Sequence, residues 1–184
     1  IIHKRTGYVL CSACLAPSHE FRFMLVNQMQ RDLASSSILE ICGSLIAVTN
    51  IITSDMVPAM QGLVVKMLDH SSELVRKKAI IAMHRFHQLA PEAVEKQDLV
   101  DKLRKMLCDR DPGVMGSSLN VIESLATVDP KPFKELVSSL ISILKQVIEH
   151  RLPSDFEYHR VPAPWIQMKI VRILAALGKN DANS

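Results

Sequence analysis

An internal repeat constrains the fold of this chain more than any other feature of its sequence. The segment LDHSSELVRKKAIIAM at residues 68–83 aligns with LCDRDPGVMGSSLNVI at residues 107–122, an offset of 39 residues. Apolar or small side chains occupy the same positions in both segments: Leu68 and Leu107, Val75 and Val114, Ala79 and Ser118, Met83 and Ile122. A weaker upstream copy, offset by 37, has Ile38, Cys42 and Ile46 in the last three positions, and Ile166 and Ile170 belong to a fourth copy.

Helical patterns with start signals fill each copy of the repeat. Ser37 and Glu40 have the spacing of a capping box, and Asp111 stands as an N-cap residue before Pro112. The predicted helices span residues 20–33, 37–51, 54–68, 72–89, 98–108, 113–126, 133–150 and 164–178. Because no segment alternates apolar and polar residues as a strand does, the predicted class is all-α.

A period near 40 with two helices per unit is typical of HEAT and armadillo repeats, which stack into solenoids. The sequence therefore predicts an all-α, right-handed α-solenoid of HEAT/armadillo-like helical pairs. We expect one solenoid over residues 1–184, with an incomplete first repeat at 1–17, a long connection at 151–163 and a tail at 179–184. Since the chain starts abruptly on Ile1, we interpret it as a fragment of a longer soluble protein.

Composition narrows the functional classes. The 22 basic and 19 acidic residues give a net charge of +3, which is too balanced for a dedicated nucleic-acid binder. Hydrophobic residues make up 48% of the chain and aromatic residues only 4%, which suits stacked helices with aliphatic cores. Four cysteines are too few for a disulfide scaffold and favour a reducing cytosolic setting. No uncharged apolar run reaches the roughly 18 residues of a membrane span.

Three consecutive cations, Arg76, Lys77 and Lys78, begin the helix of the best-defined repeat. The surrounding pattern resembles the HEAT consensus at five positions, Leu68, Asp69, Val75, Arg76 and Ala79. In that consensus an aspartate in the turn and an arginine early in the second helix connect neighbouring repeats. Arg76 lies at the border of the apolar helix face and is interpreted as structural. The positions that we expect to be structural in the repeats are Asp69, Val75, Arg76, Asp111 and Trp165.

Lys77 and Lys78 have two interpretations. Lys77 falls on the helix face opposite Val75, where solvation is the simplest role for a cation. The alternative is that both lysines contact an acidic partner or anionic lipid headgroups.

Candidate sites for chemistry are few. Cys11 and Cys14 have C-x-x-C spacing, but a second zinc-ligand pair and the βα context of a redox motif are both missing, which favours two cysteines on one helix face. His84 and His87 lack a third metal ligand nearby. The sequence contains no glycine-rich phosphate loop, G-x-S-x-G or H-E-x-x-H motif. We therefore predict no catalytic residue, cofactor or metal.

The long connection carries Phe156, Tyr158, His159 and Arg160. Aromatic residues and arginine are enriched at interface hot spots, and a loop of this length is a plausible contact site. The other interpretation is that Phe156 and Tyr158 fold back onto the helices. The sequence leaves both open.

Four runs carry a family resemblance: SSELVRKKAIIAMHRF, LAPEAV, DRDPGVMGSSLNVIESLA and VPAPWIQMKIVRILAALGK. They resemble the trunk of the large adaptin subunits of clathrin-type adaptor-protein complexes, and the resemblance covers residues 21–179. It is strongest at the R-K-K-A run and at residues 162–174, where the PAPWIQ form is most similar to the epsilon type.

The resemblance implies a non-enzymatic scaffold that holds the small, medium and second large subunits of an adaptor heterotetramer. It also implies recruitment by an Arf-type small GTPase, peripheral membrane association, and sorting of cargo tails at the cytosolic face of the trans-Golgi network or endosomes. No lipid or cargo contact of the family is placed on a residue of this chain by motif. The alternative is another HEAT-repeat binding module, such as a transport receptor or phosphatase scaffold.

Overall fold

The computed structural model describes residues 2–93 and 96–178. The α-helices are α1 Ile2–Cys14, α2 Phe21–Leu33, α3 Ile38–Ile51, α4 Val57–Met67, α5 Glu73–Leu89, α6 Lys96–Leu107, α7 Pro112–Val128, α8 Val137–Ile148 and α9 Pro164–Gly178. Short 3-10 turns cover Ser54–Met56, Lys131–Leu136 and Ser154–Phe156, and two strands, β1 Glu157–Tyr158 and β2 Val161–Pro162, complete the elements. The predicted tail lies outside the described residues.

The chain divides into two compact units, residues 1–99 and residues 100–184. In the first unit, α3 packs against α1, α2 and α5, and α4 packs against α2 and α5. In the second unit, α9 packs against α7 and α8. Both units are built from helices that follow one another in sequence and pack on their near neighbours.

The repeat register is visible in the buried faces. Val75, Ala79 and Met83 of α5 are fully buried, and Val114, Ser118 and Ile122 occupy the same places in α7. The weaker upstream copy is shifted by one residue from the predicted offset of 37. In α3, Ile38 and Ile46 are 40% and 41% exposed, while Ile41, Cys42, Leu45 and Val48 are buried, 38 residues before Ala79, Ile80, Met83 and Phe86. Since a helix turns 100° per residue, this one-residue shift decides which side chains reach the core.

Helix starts agree with the sequence at some positions and not at others. The Asp111 carboxylate accepts a hydrogen bond from the backbone N–H of Val114 at 3.0 Å, as an N-cap does. The capping box expected at Ser37 and Glu40 is not formed among the described residues, because the Glu40 carboxylate instead accepts from Ser35 and Lys4. Two helices predicted from residues 54 and 133 begin with 3-10 turns, a common geometry at helix starts.

The long connection contains a feature that the sequence did not predict. β1 and β2 pair antiparallel, with Tyr158 opposite Val161, in a minimal hairpin. The two residues at its turn, His159 and Arg160, have φ of 49° and 68°, the left-handed conformation that a tight two-residue hairpin turn requires. Glycine or asparagine normally marks such a turn, so the sequence lacks its usual signal.

Candidate interaction surfaces

Asp32, at the end of α2, is the centre of a buried polar cluster that joins the first helices. Its carboxylate is only 2% exposed. It accepts hydrogen bonds from the Tyr8 hydroxyl at 2.7 Å, the Lys4 ammonium at 2.8 Å and the Gln28 amide at 2.8 Å. A buried charge is unfavourable unless it is paired and hydrogen-bonded, so these three donors stabilise the buried Asp32 carboxylate. Burial and the hydrogen bond to Asp32 raise the pKa of Tyr8, which keeps its hydroxyl protonated.

Glu40 extends this cluster to the start of α3. The Lys4 ammonium donates to Glu40 at 2.9 Å and the Ser35 hydroxyl donates to it at 2.6 Å. The hydrogen bond from Ser35, and then that from Lys4, lower the pKa of the Glu40 carboxyl. The hydrogen bonds to Asp32 and Glu40 raise the pKa of Lys4. Lys4 thus ties α1 to both α2 and α3.

Beside the cluster lies a groove of about 710 Å³ between α1, α3 and the start of α5. We call it the α1/α3/α5 groove. Its lining is Ile2, Lys4, Arg5, Thr6, Tyr8, Val9, Leu10, Asp32, Leu39, Glu40, Cys42, Gly43, Ile46, Leu74 and Lys78. Six of its fifteen lining residues are aliphatic, and all six are exposed. Contiguous exposed apolar surface of this kind is typical of interaction sites.

The three consecutive cations Arg76, Lys77 and Lys78 have different surroundings in the structure. The Arg76 guanidinium donates to the carbonyl oxygens of His70 at 2.8 Å and Ser71 at 2.9 Å, which fixes the turn before α5. Lys78 lines the α1/α3/α5 groove, and Lys77 does not. Asp69 is exposed in the same turn and Val75 is fully buried. That Arg76 joins neighbouring repeats, and that either lysine contacts a partner or lipid, stay predictions.

The hairpin after α8 presents its side chains unevenly. Phe156 is half-buried, and its carbonyl oxygen accepts from the Ala163 N–H at 2.8 Å. Tyr158 is 60% exposed and Arg160 is exposed at the turn. The Tyr158 ring packs edge-on against the imidazole of His159, with centroids 4.3 Å apart. A partner contact through Phe156, Tyr158 and Arg160 stays a prediction.

Apolar side chains are also exposed on α9, directly after the hairpin. Trp165 is 41%, Met168 57% and Val171 55% exposed. Their spacing of three residues places them on neighbouring turns of the helix. Trp165, for which the sequence predicts a structural role, is thus only partly buried among the residues of the second unit.

A second cleft, of about 590 Å³, lies in the second unit between the turn before α7 and α8. Arg110 and Cys108 line one side of it, and Ser138, Ser139 and Ser142 line the other. Besides these hydroxyl groups, the Asp109 carboxylate lines the cleft.

The other candidate positions are the two cysteines of α1 and the two histidines of α5. Cys11 is half-buried and Cys14 exposed on α1, and no group of three metal-ligating side chains occurs within residues 2–93 and 96–178. On α5, burial lowers the pKa of His84, with smaller effects of His87 and Arg85. None of the helices in the described ranges is long and apolar enough to span a bilayer.

Sequence reasoning missed the Lys4, Tyr8 and Asp32 cluster. One signal was available at Asp32, which lies next to the last residue of α2. A carboxylate near a helix C-terminus is disfavoured by the helix dipole, so its presence there indicates a tertiary partner. The partners themselves lie 24 and 28 residues away and have no marker in the sequence.

Comparison with known proteins gives a consistent result. The chain matches the model of the adaptin N-terminal region over residues 2–184. It is 45% identical over 184 residues to the AP-4 complex subunit epsilon of Arabidopsis thaliana, covering 100% of this chain and 19% of that protein. It is 43% identical to AP-4 complex subunit epsilon-1 of Homo sapiens, over 98% of this chain and 16% of that protein. The identity to AP-2 complex subunit alpha-1 of Arabidopsis thaliana is 29%, over 93% of this chain and 17% of that protein.

Among solved structures, the chain resembles part of a homology model of the full-length AP-3 complex in an intermediate open conformation. The TM-score is 0.74 at 24% identity, covering 97% of this chain and 29% of the other. This likeness concerns the fold and confirms the predicted all-α, solenoid-type class. The chain spans only 16–19% of the length of the two epsilon relatives described above.

Proposed function

The chain belongs to the adaptin N-terminal region family, and from this membership we propose that it serves as part of a scaffold subunit of a heterotetrameric vesicle-coat adaptor complex. In this role it takes part in cargo sorting and vesicle-mediated protein transport without catalysing a reaction. The match to the family over residues 2–184 is the observation that carries the proposal. The higher identity to epsilon subunits than to an alpha subunit favours an epsilon-type complex.

The surfaces of the chain support a scaffold. Helical repeats expose broad faces rather than a deep reactive site, and such faces suit recognition of other proteins. Apolar residues are exposed on α1, α3 and α9. The comparisons favour an adaptor scaffold over a transport receptor or a phosphatase scaffold.

The proposed partners are the small, medium and second large subunits of the complex, with an Arf-type small GTPase for recruitment and cargo tails bound through the assembly. The proposed location is the cytosol and the cytosolic face of trans-Golgi or endosomal membranes, by peripheral association. We further propose that residues 1–184 belong to one continuous solenoid.

A native pull-down of the tagged full-length protein from cytosol tests this function. We expect small, medium and second large adaptor subunits to co-purify in equal amounts. If a correctly folded protein, checked by circular dichroism, brings down none of these subunits, the proposed function is wrong.

Specific contacts can be tested in the same preparation. For the hairpin, Tyr158→Ala combined with Arg160→Glu should reduce subunit recovery or GTPase-dependent recruitment if the exposed turn binds a partner. For lipid, flotation with anionic liposomes should fall with salt and with Lys77→Glu and Lys78→Glu if these lysines contact headgroups. Unchanged flotation in that double variant would assign both lysines to roles other than lipid binding.

A further inference from the structure

The α1/α3/α5 groove contains space that no described side chain uses. Gly43, near the middle of α3, lines the groove. A Cβ atom built on Gly43 would meet no heavy atom within 4 Å. Glycine in a helix interior is less favourable than alanine. The packing of the described residues therefore does not require a glycine at this position, and the open space in the groove leaves room for close approach of another molecule.

The apolar walls of the groove point to a helical occupant. Leu39 and Ile46 are 62% and 41% exposed, and they lie four residues before and three residues after Gly43 on the same side of α3. From Leu39 to Ile46 the helix rises about 10 Å, or two turns. Val9 and Leu10 of α1 and Leu74 of α5 are about half exposed and flank this face.

A helix fits this setting better than an extended peptide. The backbone polar groups of the surrounding helices are engaged in their own hydrogen bonds, so the groove gives an extended backbone few partners. A helix satisfies its own backbone groups and can lay an apolar ridge along the groove. Gly43 would let the two helix axes approach closely.

The charged residues that line the groove indicate the charge of the molecule that binds there. Three cations line the groove, Lys4, Arg5 and Lys78, against two carboxylates, Asp32 and Glu40. Both carboxylates are engaged by Lys4. Within the described parts of the chain, neither Arg5 nor Lys78 forms an ion pair. Two cations thus remain at the rim of an apolar groove, which complements an acidic partner.

We propose that the α1/α3/α5 groove binds an amphipathic helix of another adaptor subunit, whose apolar ridge packs on Leu39, Gly43 and Ile46 and whose flanking acidic residues pair with Arg5 and Lys78. This inference rests on the proposed function in taking the occupant from an adaptor subunit. It adds the location of the contact and the chemistry of the bound segment.

A photo-crosslinking experiment on the assembled full-length complex identifies the occupant. A photoreactive amino acid replaces Leu39 in the groove or, as a control, Ile141, which is 53% exposed on α8 in the other unit. The crosslinked peptide is then sequenced by mass spectrometry. We expect Leu39 alone to capture a segment of another subunit with apolar residues at helical spacing and flanking aspartate or glutamate.

Two substitutions test the geometry and the charge. Gly43→Leu fills the groove, and Gly62→Leu is its control, since a Cβ at Gly62 on α4 also meets no heavy atom within 4 Å and Gly62 does not line the groove. Lys78→Glu reverses a rim charge, and its control is Lys66→Glu on α4, outside the groove lining. We expect Gly43→Leu and Lys78→Glu to lower the crosslinking yield from Leu39 by about tenfold or more. The two controls should leave it unchanged.

Several results would overturn this proposal while leaving the proposed function intact. The first is a complex that assembles normally but gives no crosslink from Leu39. The second is a crosslink from Leu39 to the same polypeptide, to a second copy of it, to lipid, or to a basic or non-helical segment. An unchanged yield in Gly43→Leu would also overturn it. If the wild-type protein recovers no adaptor subunits at all, the proposed function fails and this inference fails with it.

Discussion

The Tyr8 hydroxyl lies 2.7 Å from a carboxylate oxygen of Asp32, which is 2% exposed. This single contact joins α1 to α2 and buries a charged group together with its donor. Lys4 and Gln28 complete the set of donors to Asp32. The attachment of α1, which forms one wall of the α1/α3/α5 groove, therefore depends on polar contacts as well as on apolar packing.

Tyr8→Phe should weaken the attachment of α1. The substitution removes one hydrogen bond to a buried carboxylate and keeps the ring, and such a bond to a charged group contributes about 1.5–3 kcal/mol. Since two donors remain, we expect a loss of about 1–2 kcal/mol in the free energy of opening of α1, measured by hydrogen exchange. Tyr158→Phe is the matched control, because Tyr158 is 60% exposed. Equal protection of α1 in wild type and Tyr8→Phe would contradict the prediction.

Glu40 should give α1 a dependence on acid pH. Its carboxyl pKa is lowered from 4.5 in the folded chain, chiefly by the hydrogen bond from Ser35 and next by that from Lys4. A lowered folded-state pKa stabilises the fold above pH 4.5, and this contribution is lost as pH falls through the lower, folded-state value. We expect the protection factors of α1 amides to fall in that acid range in wild type and to fall less in Glu40→Gln. Superimposable pH profiles of the two proteins would show that Glu40 has no such role.

Two buried serines should respond differently to alanine. The Ser44 hydroxyl donates to the Met29 carbonyl oxygen at 2.8 Å and so links α3 to α2. The Ser118 hydroxyl donates to the Val114 carbonyl oxygen within its own helix at 3.2 Å, and the equivalent position of the preceding repeat is alanine, Ala79.

We expect Ser44→Ala to destabilise the first unit by about 1 kcal/mol and Ser118→Ala to change the stability of the second unit by less than about 0.5 kcal/mol. Hydrogen exchange in α3 and α7 measures both effects. A larger loss in Ser118→Ala than in Ser44→Ala would reverse the expected order.

Helices α5 and α7 were predictable because each carries its own signal, whereas α1 was not among the predicted helices. Val75 in α5 and Val114 in α7 occupy equivalent positions of the repeat, and both are buried, as their apolar spacing indicates. Asp111 caps α7, as the sequence also indicates. A period of about 40 residues then limits the fold to helical repeats. Local pattern and global architecture agree in these segments, as expected of a sequence that specifies one structure.

The contacts between distant segments were not predictable in the same way. The pairing of Lys4 and Tyr8 with Asp32 depends on how α1 packs, which no local pattern records. The one-residue error in the register of α3 arose because Ile38 and Ile46 are as apolar as Ile41 and Leu45. When a helix has two adjacent apolar faces and one of them lines a groove, hydrophobicity alone does not show which face is buried in the core.

The capping signals of α5 and α7 give a direct test of sequence against structure. Ser72 and Asp111 both precede helices at positions where a cap is favoured. Only the Asp111 side chain accepts a capping hydrogen bond, and among the described contacts of Ser72 there is none. We therefore expect Asp111→Ala to destabilise α7 by about 1 kcal/mol, because the Val114 N–H loses its acceptor. Ser72→Ala should change the stability of α5 by less than about 0.5 kcal/mol. Hydrogen exchange in the first turn of each helix measures both effects, and equal losses would mean that the two caps are equivalent in solution.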